Sequence, residues 1–174
     1  HTCVALQQAG FEVVVLDSLA NSTEAVLDRI AEVSGRAPRL VRGDVRRPGD
    51  VDRALSHGPF ACVVHFAGLK AVADSVRDPL GYYDVNVAGS MVLLRRMRMA
   101  GVRRIVFSSS ATVYGEPDTV PIPETHACRP QSPYGRSKHA VEQILADLHA
   151  ADPCWSIAVL RYFNPAGAHF SGLL

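Results

Sequence analysis

The 174 residues hold no C-x-x-C pair among their four cysteines (Cys3, Cys62, Cys128, Cys154) and no H-E-x-x-H among their seven histidines. The first absence removes zinc ribbons and dithiol redox motifs, the second removes the helical zinc-protease signature, and no metal site is expected. Cys3 and Cys62 fall in apolar stretches and read as small buried hydrophobes. The cysteine set as a whole reads as that of a reduced, cytoplasmic protein. Charge of one sign is not in excess: the formal net charge is +1, with 20% of residues charged. That balance gives no basic surface for nucleic acid and no acidic tail for a charged partner. No apolar run approaches the ~20 residues that cross a bilayer, so no membrane partner is expected. A secretory leader is not visible at the start, although the chain opens on His1 rather than Met. There is no internal repeat. The stretch from 119 to 133 holds four of the eleven prolines (Pro121, Pro123, Pro130, Pro133) and reads as one extended surface loop.

What is present is an alternation of helical patterns and short apolar runs, in a chain that is 48% apolar and long enough for one domain with a real core. Val4, Ala5, Leu6 and Ala9 before Gly10 read as a helix and its stop. Phe11 to Leu16 is a β-branched apolar strand ending at Asp17. Leu40 and Val41 lead to Gly43 and Asp44, and Pro48 to Leu55 reads as a short helix. Ala61 to Phe66 is a second buried strand. Pro79 to Ala100 reads as one long amphipathic helix stopped by Gly101. Arg104 to Phe107 is a strand running into Ser108, Ser109 and Ser110. Ser132, Pro133 and Tyr134 open a helix to about Ala150, and Ser156 to Leu160 is the last strand. Continuous apolar strands alternating with helices predict a doubly wound parallel α/β sheet of Rossmann type. Such a domain begins with a strand and a Gly-rich turn, whereas this sequence opens inside a helix. The expected sheet is therefore incomplete, lacking a central strand.

In open α/β sheets ligands lie beyond the carboxyl ends of the strands, so the residues that follow each apolar run matter most. Asp17 stands at one such end. A carboxylate there accepts hydrogen bonds from an adenosine ribose and repels a 2′-phosphate, which favours NAD over NADP. A turn or capping role fits its position equally well. Of the five tyrosines only Tyr134 has a lysine four residues on, Lys138. That spacing puts both on one helix face. Ser132 is a good N-cap and Pro133 a good first residue, so Tyr134 falls in the first turn, where the helix dipole is positive. The dipole and Lys138 both favour a phenolate, the form a tyrosine general base needs. An exposed tyrosine beside a solvated lysine is the competing reading. Ser110 and Thr112, after a core strand, open into the same crevice and tilt the balance towards chemistry. A serine nucleophile is excluded by the absence of G-x-S-x-G, and His65 and His139 read as packing or surface residues.

Three strings resemble a known family: residues 108–115 (SSSATVYG), Tyr134-Gly135-Arg136-Ser137-Lys138, and residues 161–169 (RYFNPAGAH). With residues 65–72 (HFAGLKAV) and 82–86 (YYDVN) they are similar, in order, to the UDP-galactose 4-epimerases, which are extended short-chain dehydrogenase/reductases. The likeness covers essentially the whole chain. It implies an NAD-binding domain over residues 1–164 and the start of a substrate-binding region over 165–174. It implies Tyr134 as catalytic base, Lys138 as its partner and as a ligand of the nicotinamide ribose, Ser110 at the sugar hydroxyl and Thr112 nearby. Asp17 would hold the adenosine ribose, with Asp44 and Val45 along the adenine. Phe66, Ala67, Gly68, Lys70, Asn86 and Ser108 would line the rest of the NAD. Tyr162 and Phe163 would lie near the nicotinamide and sugar, and Asn164 on the diphosphate side of a UDP-hexose. The implied reaction inverts C4 of the hexose through a 4-keto sugar, in a homodimer built partly on the long helices.

The sequence departs from the family at the amino-terminal G-x-x-G-x-x-G turn, which is absent, at Ser18 in place of a common Asn, and at Phe170 in place of Pro. By itself the chain is expected not to turn over. A nucleotide-sugar 4,6-dehydratase is the nearest rival, but that chemistry needs a carboxylate pair just after Thr112, where Val113 and Tyr114 stand. A non-catalytic NAD-binding module and an inactive truncated product are the remaining alternatives.

Overall fold

The computed structural model describes residues 1–174. Five strands and seven α-helices alternate along the chain. In order they are α1 (Thr2–Gln8), β1 (Val14–Asp17), α2 (Ala25–Ser34), β2 (Arg39–Arg42), α3 (Pro48–Leu55) and β3 (Val63–His65). Then come α4 (Val72–Arg77), α5 (Pro79–Tyr83), a π-helical turn (Asp84–Ala88), α6 (Gly89–Met99) and β4 (Arg104–Ser110). A 3-10 turn (Ala111–Val113), α7 (Pro133–Ala151) and β5 (Ser156–Tyr162) complete the order.

All strand pairs are parallel, as continuous apolar strands joined by helices require. The strands form two sheets, β1–β2 and β3–β4–β5, rather than one. This division agrees with the expectation of an incomplete Rossmann-type sheet, in which β1 and β3 flank a central strand. A shared core joins the pieces. Val51 of α3, Leu93, Leu94 and Met97 of α6, Ile105 and Phe107 of β4, and Val141 and Leu145 of α7 form one buried cluster with Trp155. Leu16 of β1 and Val63 of β3 pack against it from the two sheets. Helix α3 touches β1, β2 and α6, and so ties the smaller sheet to the larger.

Several expectations need correction. Pro79–Ala100 is not one uniform helix, because the π-helical turn interrupts it at Asp84–Ala88. Strand β4 runs on through all three serines. Helices α2 and α4 carry no strong start signal: neither has a side-chain cap hydrogen bond, and α4 is only six residues long. Cys62 is exposed and Cys3 half-buried, so neither is the fully buried hydrophobe expected. No helix is long and apolar enough to cross a membrane.

Candidate active site

The carboxyl end of β4 and the first turns of α7 bring the sharpest sequence candidates together. Helix α7 starts where its caps demand: the Ser132 hydroxyl accepts the Gly135 N–H at 3.1 Å, with Pro133 at the first position. That turn lies against the 3-10 turn after β4. A Cβ at Gly135 would stand 2.9 Å from the Thr112 carbonyl, so only glycine lets the two backbones approach so closely. Tyr134, Lys138 and Ser110 are all buried, at 8%, 5% and 8% exposure, so the competing reading of a solvated surface pair does not hold.

Hydrogen bonds fix each member. The Lys138 ammonium donates to the Ser108 carbonyl at 2.8 Å and sits 5.0 Å from the Phe107 ring centroid and 6.0 Å from that of Tyr134. Burial pushes its proton affinity down, to a pKa of about 8. Ser110 Oγ accepts both the Thr112 N–H at 3.2 Å and the Thr112 hydroxyl at 3.0 Å. With both lone pairs used, the Ser110 hydroxyl proton is left to point outward as a donor. Tyr82 packs edge-on to the Tyr134 ring with centroids 6.4 Å apart. Tyr162, half-exposed at the end of β5, is in register with Ser110, and Phe163 and Asn164 follow it on the surface.

The turn after β3 faces the same lysine. Phe66, Ala67 and Lys70 are exposed around Gly68, whose added Cβ would meet Asn86 Oδ1 at 2.9 Å and lie 3.6 Å from Lys138 Nζ. Asn86 is 2% exposed and clamps this turn: its Oδ1 accepts the Leu69 N–H at 2.7 Å and its Nδ2 donates to the Leu69 carbonyl at 3.0 Å. The same Nδ2 donates to Ser137 Oγ at 3.0 Å, joining the turn to α7.

The remaining candidates stand apart. Asp17 ends β1, and its Oδ1 accepts the Leu19 N–H at 2.7 Å and the Ser22 hydroxyl at 3.4 Å, while Oδ2 makes no hydrogen bond. Asp17 therefore has the turn role that one reading expects, and its second oxygen carries no hydrogen bond. Asp44 is paired with Arg46, which holds its carboxyl below the usual range, and Arg46 also bonds Asp84 at 2.6 Å. The Val45 side chain belongs to the core, leaving its backbone as the group that can meet a ligand.

Other residues escaped the sequence reading. Glu142, a helical turn beyond Lys138, bonds the Ser109 hydroxyl and takes a forked contact from Arg161, with its Nη2 at 2.7 Å. Its spacing on the tyrosine–lysine face was the available signal. His65 is a packing residue as expected: Nε2 lies 2.8 Å from Ser90 Oγ, and burial, then the Lys138 charge, pushes its pKa down to about 3.

A parallel α/β fold with a buried tyrosine–lysine pair and a serine at the end of one strand defines a chain of the short-chain dehydrogenase/reductase class. It belongs to the NAD dependent epimerase/dehydratase family, which matches residues 1–173. A UDP-glucose 4-epimerase of Yersinia pestis is 52% identical over 100% of this chain and 52% of its own length. One from Bacillus subtilis is 49% identical over 99% of this chain and 51% of its own. The chain thus spans about half the length of the relatives it matches. The crystal structure of UDP-glucose-4-epimerase from Stenotrophomonas maltophila, with bound NAD and formylated UDP-arabinopyranose, superposes with a TM-score of 0.97 at 48% identity. That match covers 100% of this chain and 52% of the other. The enzyme of Bifidobacterium longum in complex with NAD+ and UDP gives 0.97 at 46% identity, with the same coverage.

Proposed function

We propose that the chain is the cofactor-binding part of a UDP-hexose 4-epimerase, which reversibly inverts C4 of UDP-glucose and UDP-galactose. The observation that carries this reading is the convergence of buried Tyr134, Lys138 and Ser110 at the end of β4. Residues 1–164 would form a partial NAD-binding domain and 165–174 the start of a substrate-binding region. The residues present fit NAD. Around Gly68 bare backbone faces Lys138, and at the end of β1 Asp17 has an unbonded oxygen. Asp17, Asp44 and the Val45 backbone would take the adenosine end. Phe66, Ala67, Gly68, Lys70 and Ser108 would line the path inward, with Asn86 holding its backbone. Lys138 and Phe163 would meet the nicotinamide riboside. When bound, NAD supplies a hydride acceptor and donor.

The protein's own residues manage the proton and the pose. The Tyr134 oxygen takes the proton of the C4 hydroxyl and later returns it, with the Lys138 ammonium 6.0 Å from its ring centroid. Ser110 donates its outward proton to the same sugar oxygen, because Thr112 occupies both of its lone pairs. Tyr162 borders the sugar and Asn164 the diphosphate. Val113 and Tyr114 are 0% and 3% exposed, leaving no carboxylate beside Thr112 for dehydration. We also propose a cytoplasmic homodimer pairing through the helices from Pro79 to Ala100, where Leu80 and Met99 are 80% and 70% exposed. A monomer by light scattering would count against that pairing.

The test is a chimera in which residues 1–173 replace the matching part of the Bacillus subtilis enzyme, given UDP-galactose without added NAD. Conversion to UDP-glucose should fall by at least about a hundredfold in Tyr134→Phe, the loss of a general base. A chimera that retains NAD yet converts nothing sinks the proposal.

A further inference from the structure

Beside the carboxyl ends of β4 and β5, three side chains with ligand chemistry meet although no local motif announces them. Cys128 comes from the proline-dense loop, and His139 and Glu142 stand three residues apart on α7. Their ligand atoms all lie within 4.8 Å of one another. His139 Nδ1 is buried and has no hydrogen-bond partner. It stands 3.9 Å from Glu142 Oε2, beyond hydrogen-bond reach. A buried ring nitrogen without a partner has lost its hydration and gained nothing in return. A cation between this nitrogen, the carboxylate and the thiol would supply what is missing.

We propose that Cys128 Sγ, His139 Nδ1 and Glu142 Oε2 bind a divalent cation of the zinc class, with water completing a tetrahedron. The donor set makes the choice of metal. Thiolate and imidazole suit zinc and cobalt, whereas calcium and magnesium take oxygen shells. Zinc–ligand bonds near 2.0 Å to nitrogen and oxygen set those donors roughly 3.3 Å apart, so small rotations of side chains close the present spacing. Cys128 releases its proton to solvent as the metal–sulfur bond forms.

Arg161 opposes the ion. Its guanidinium bonds Glu142 Oε2 at 2.7 Å through Nη2 and Oε1 at 3.1 Å through Nε. Ser109 also donates to Oε1. On metal binding Oε2 turns from Nη2 to the cation, and Oε1 keeps Ser109 and Nε. This competition makes the site weaker than a dedicated structural zinc centre. None of its three ligands is among the residues assigned to sugar or cofactor, so it stands independently of the epimerase reading.

The experiment titrates cobalt(II), then zinc(II), into the full 174-residue chain under reducing conditions, with circular dichroism confirming the fold of each variant. A thiolate-to-cobalt charge-transfer band should saturate at one equivalent and be displaced by zinc. Cys128→Ser should abolish the band, and His139→Gln should weaken cobalt affinity at least tenfold. Cys62→Ser and Cys154→Ser should leave it unchanged. A folded chain without the band, a band that survives Cys128→Ser, or one that follows Cys62 or Cys154 overturns the proposal.

Discussion

The two sheets differ in how much protein stands behind them. Behind β3–β4–β5 lie α6, α7 and nearly the whole buried cluster, and β4 buries Ile105, Phe107, Ser109 and Ser110. On the β1–β2 side every residue of β1 is only half-buried, and the buried Val4, Ile30 and Val41 lie outside the shared cluster, which this side enters through Val45 and through Val51 of α3. Polar bonds do part of the work there. Gln7 donates to the Arg36 carbonyl at 3.1 Å and accepts from the Ser34 hydroxyl at 2.8 Å. The buried Tyr134, Lys138 and Ser110 group is therefore held by the densely packed sheet. The thin sheet ends in Asp17, whose carboxylate shapes the turn to Leu19.

The largest expected effect tests this contrast directly. Phe107→Ala should cost about 3–5 kcal/mol, the range for a fully enclosed aromatic. Val41→Ala on the thin sheet should cost about 1–2 kcal/mol for the two lost carbons. Urea denaturation of both variants measures the gap, and a Val41→Ala loss equal to that of Phe107→Ala would show that the smaller sheet is the more tightly consolidated, since fewer carbons are removed there.

Next in size is the Asn86 clamp. Asn86→Ala leaves the Leu69 N–H and carbonyl without their partners and should cost about 2–3 kcal/mol. Hydrogen exchange at Leu69 should accelerate strongly, while the β4 amides keep their protection. Unchanged exchange at Leu69 would mean that the turn after β3 is held by other contacts.

A smaller effect concerns the one lysine buried on the packed side. The folded-state pKa of Lys138 is about 8, below the usual lysine value of 10.5. Below pH 8 both folded and unfolded chains carry this proton, and burying the charge costs stability in full. Between pH 8 and 10.5 the folded chain loses the proton first, so stability rises with pH through that window. Lys138→Met should therefore stabilise the fold by about 2 kcal/mol at pH 7, an advantage that disappears by high pH. Denaturation midpoints of the two proteins at several pH values check both the sign and the window.

Much of this was legible in the sequence because it is local. The strands are short β-branched runs, and Ser132-Pro133 starts α7 where its caps predict. The Tyr134/Lys138 spacing did put both residues on one face, and the absence of a central strand agrees with the sheet's division in two. What stayed hidden depends on distant partners. The Glu142 contacts with Ser109 and Arg161 join residues 33 and 19 positions apart, so its spacing after Lys138 marks the face it stands on but not the partners it meets. Cys62 follows an apolar pattern yet lies exposed at the edge of β3. Helix α2 begins at Ala25, after a Glu24 that gives no side-chain cap, so it is defined by its packing rather than by a start signal.

The π-helical turn at Asp84–Ala88 has a consequence for how this helix can change. A π turn holds one residue more than the α-helix around it, so it behaves as an insertion absorbed into the helix without a loop. Deleting one residue there would restore a regular helix and leave α6 free to keep Leu93 and Met97 in the core. The deletion would instead withdraw Asn86 from Leu69 and Ser137. The extra residue thus makes the length of this helix a setting that acts on a turn elsewhere in the chain.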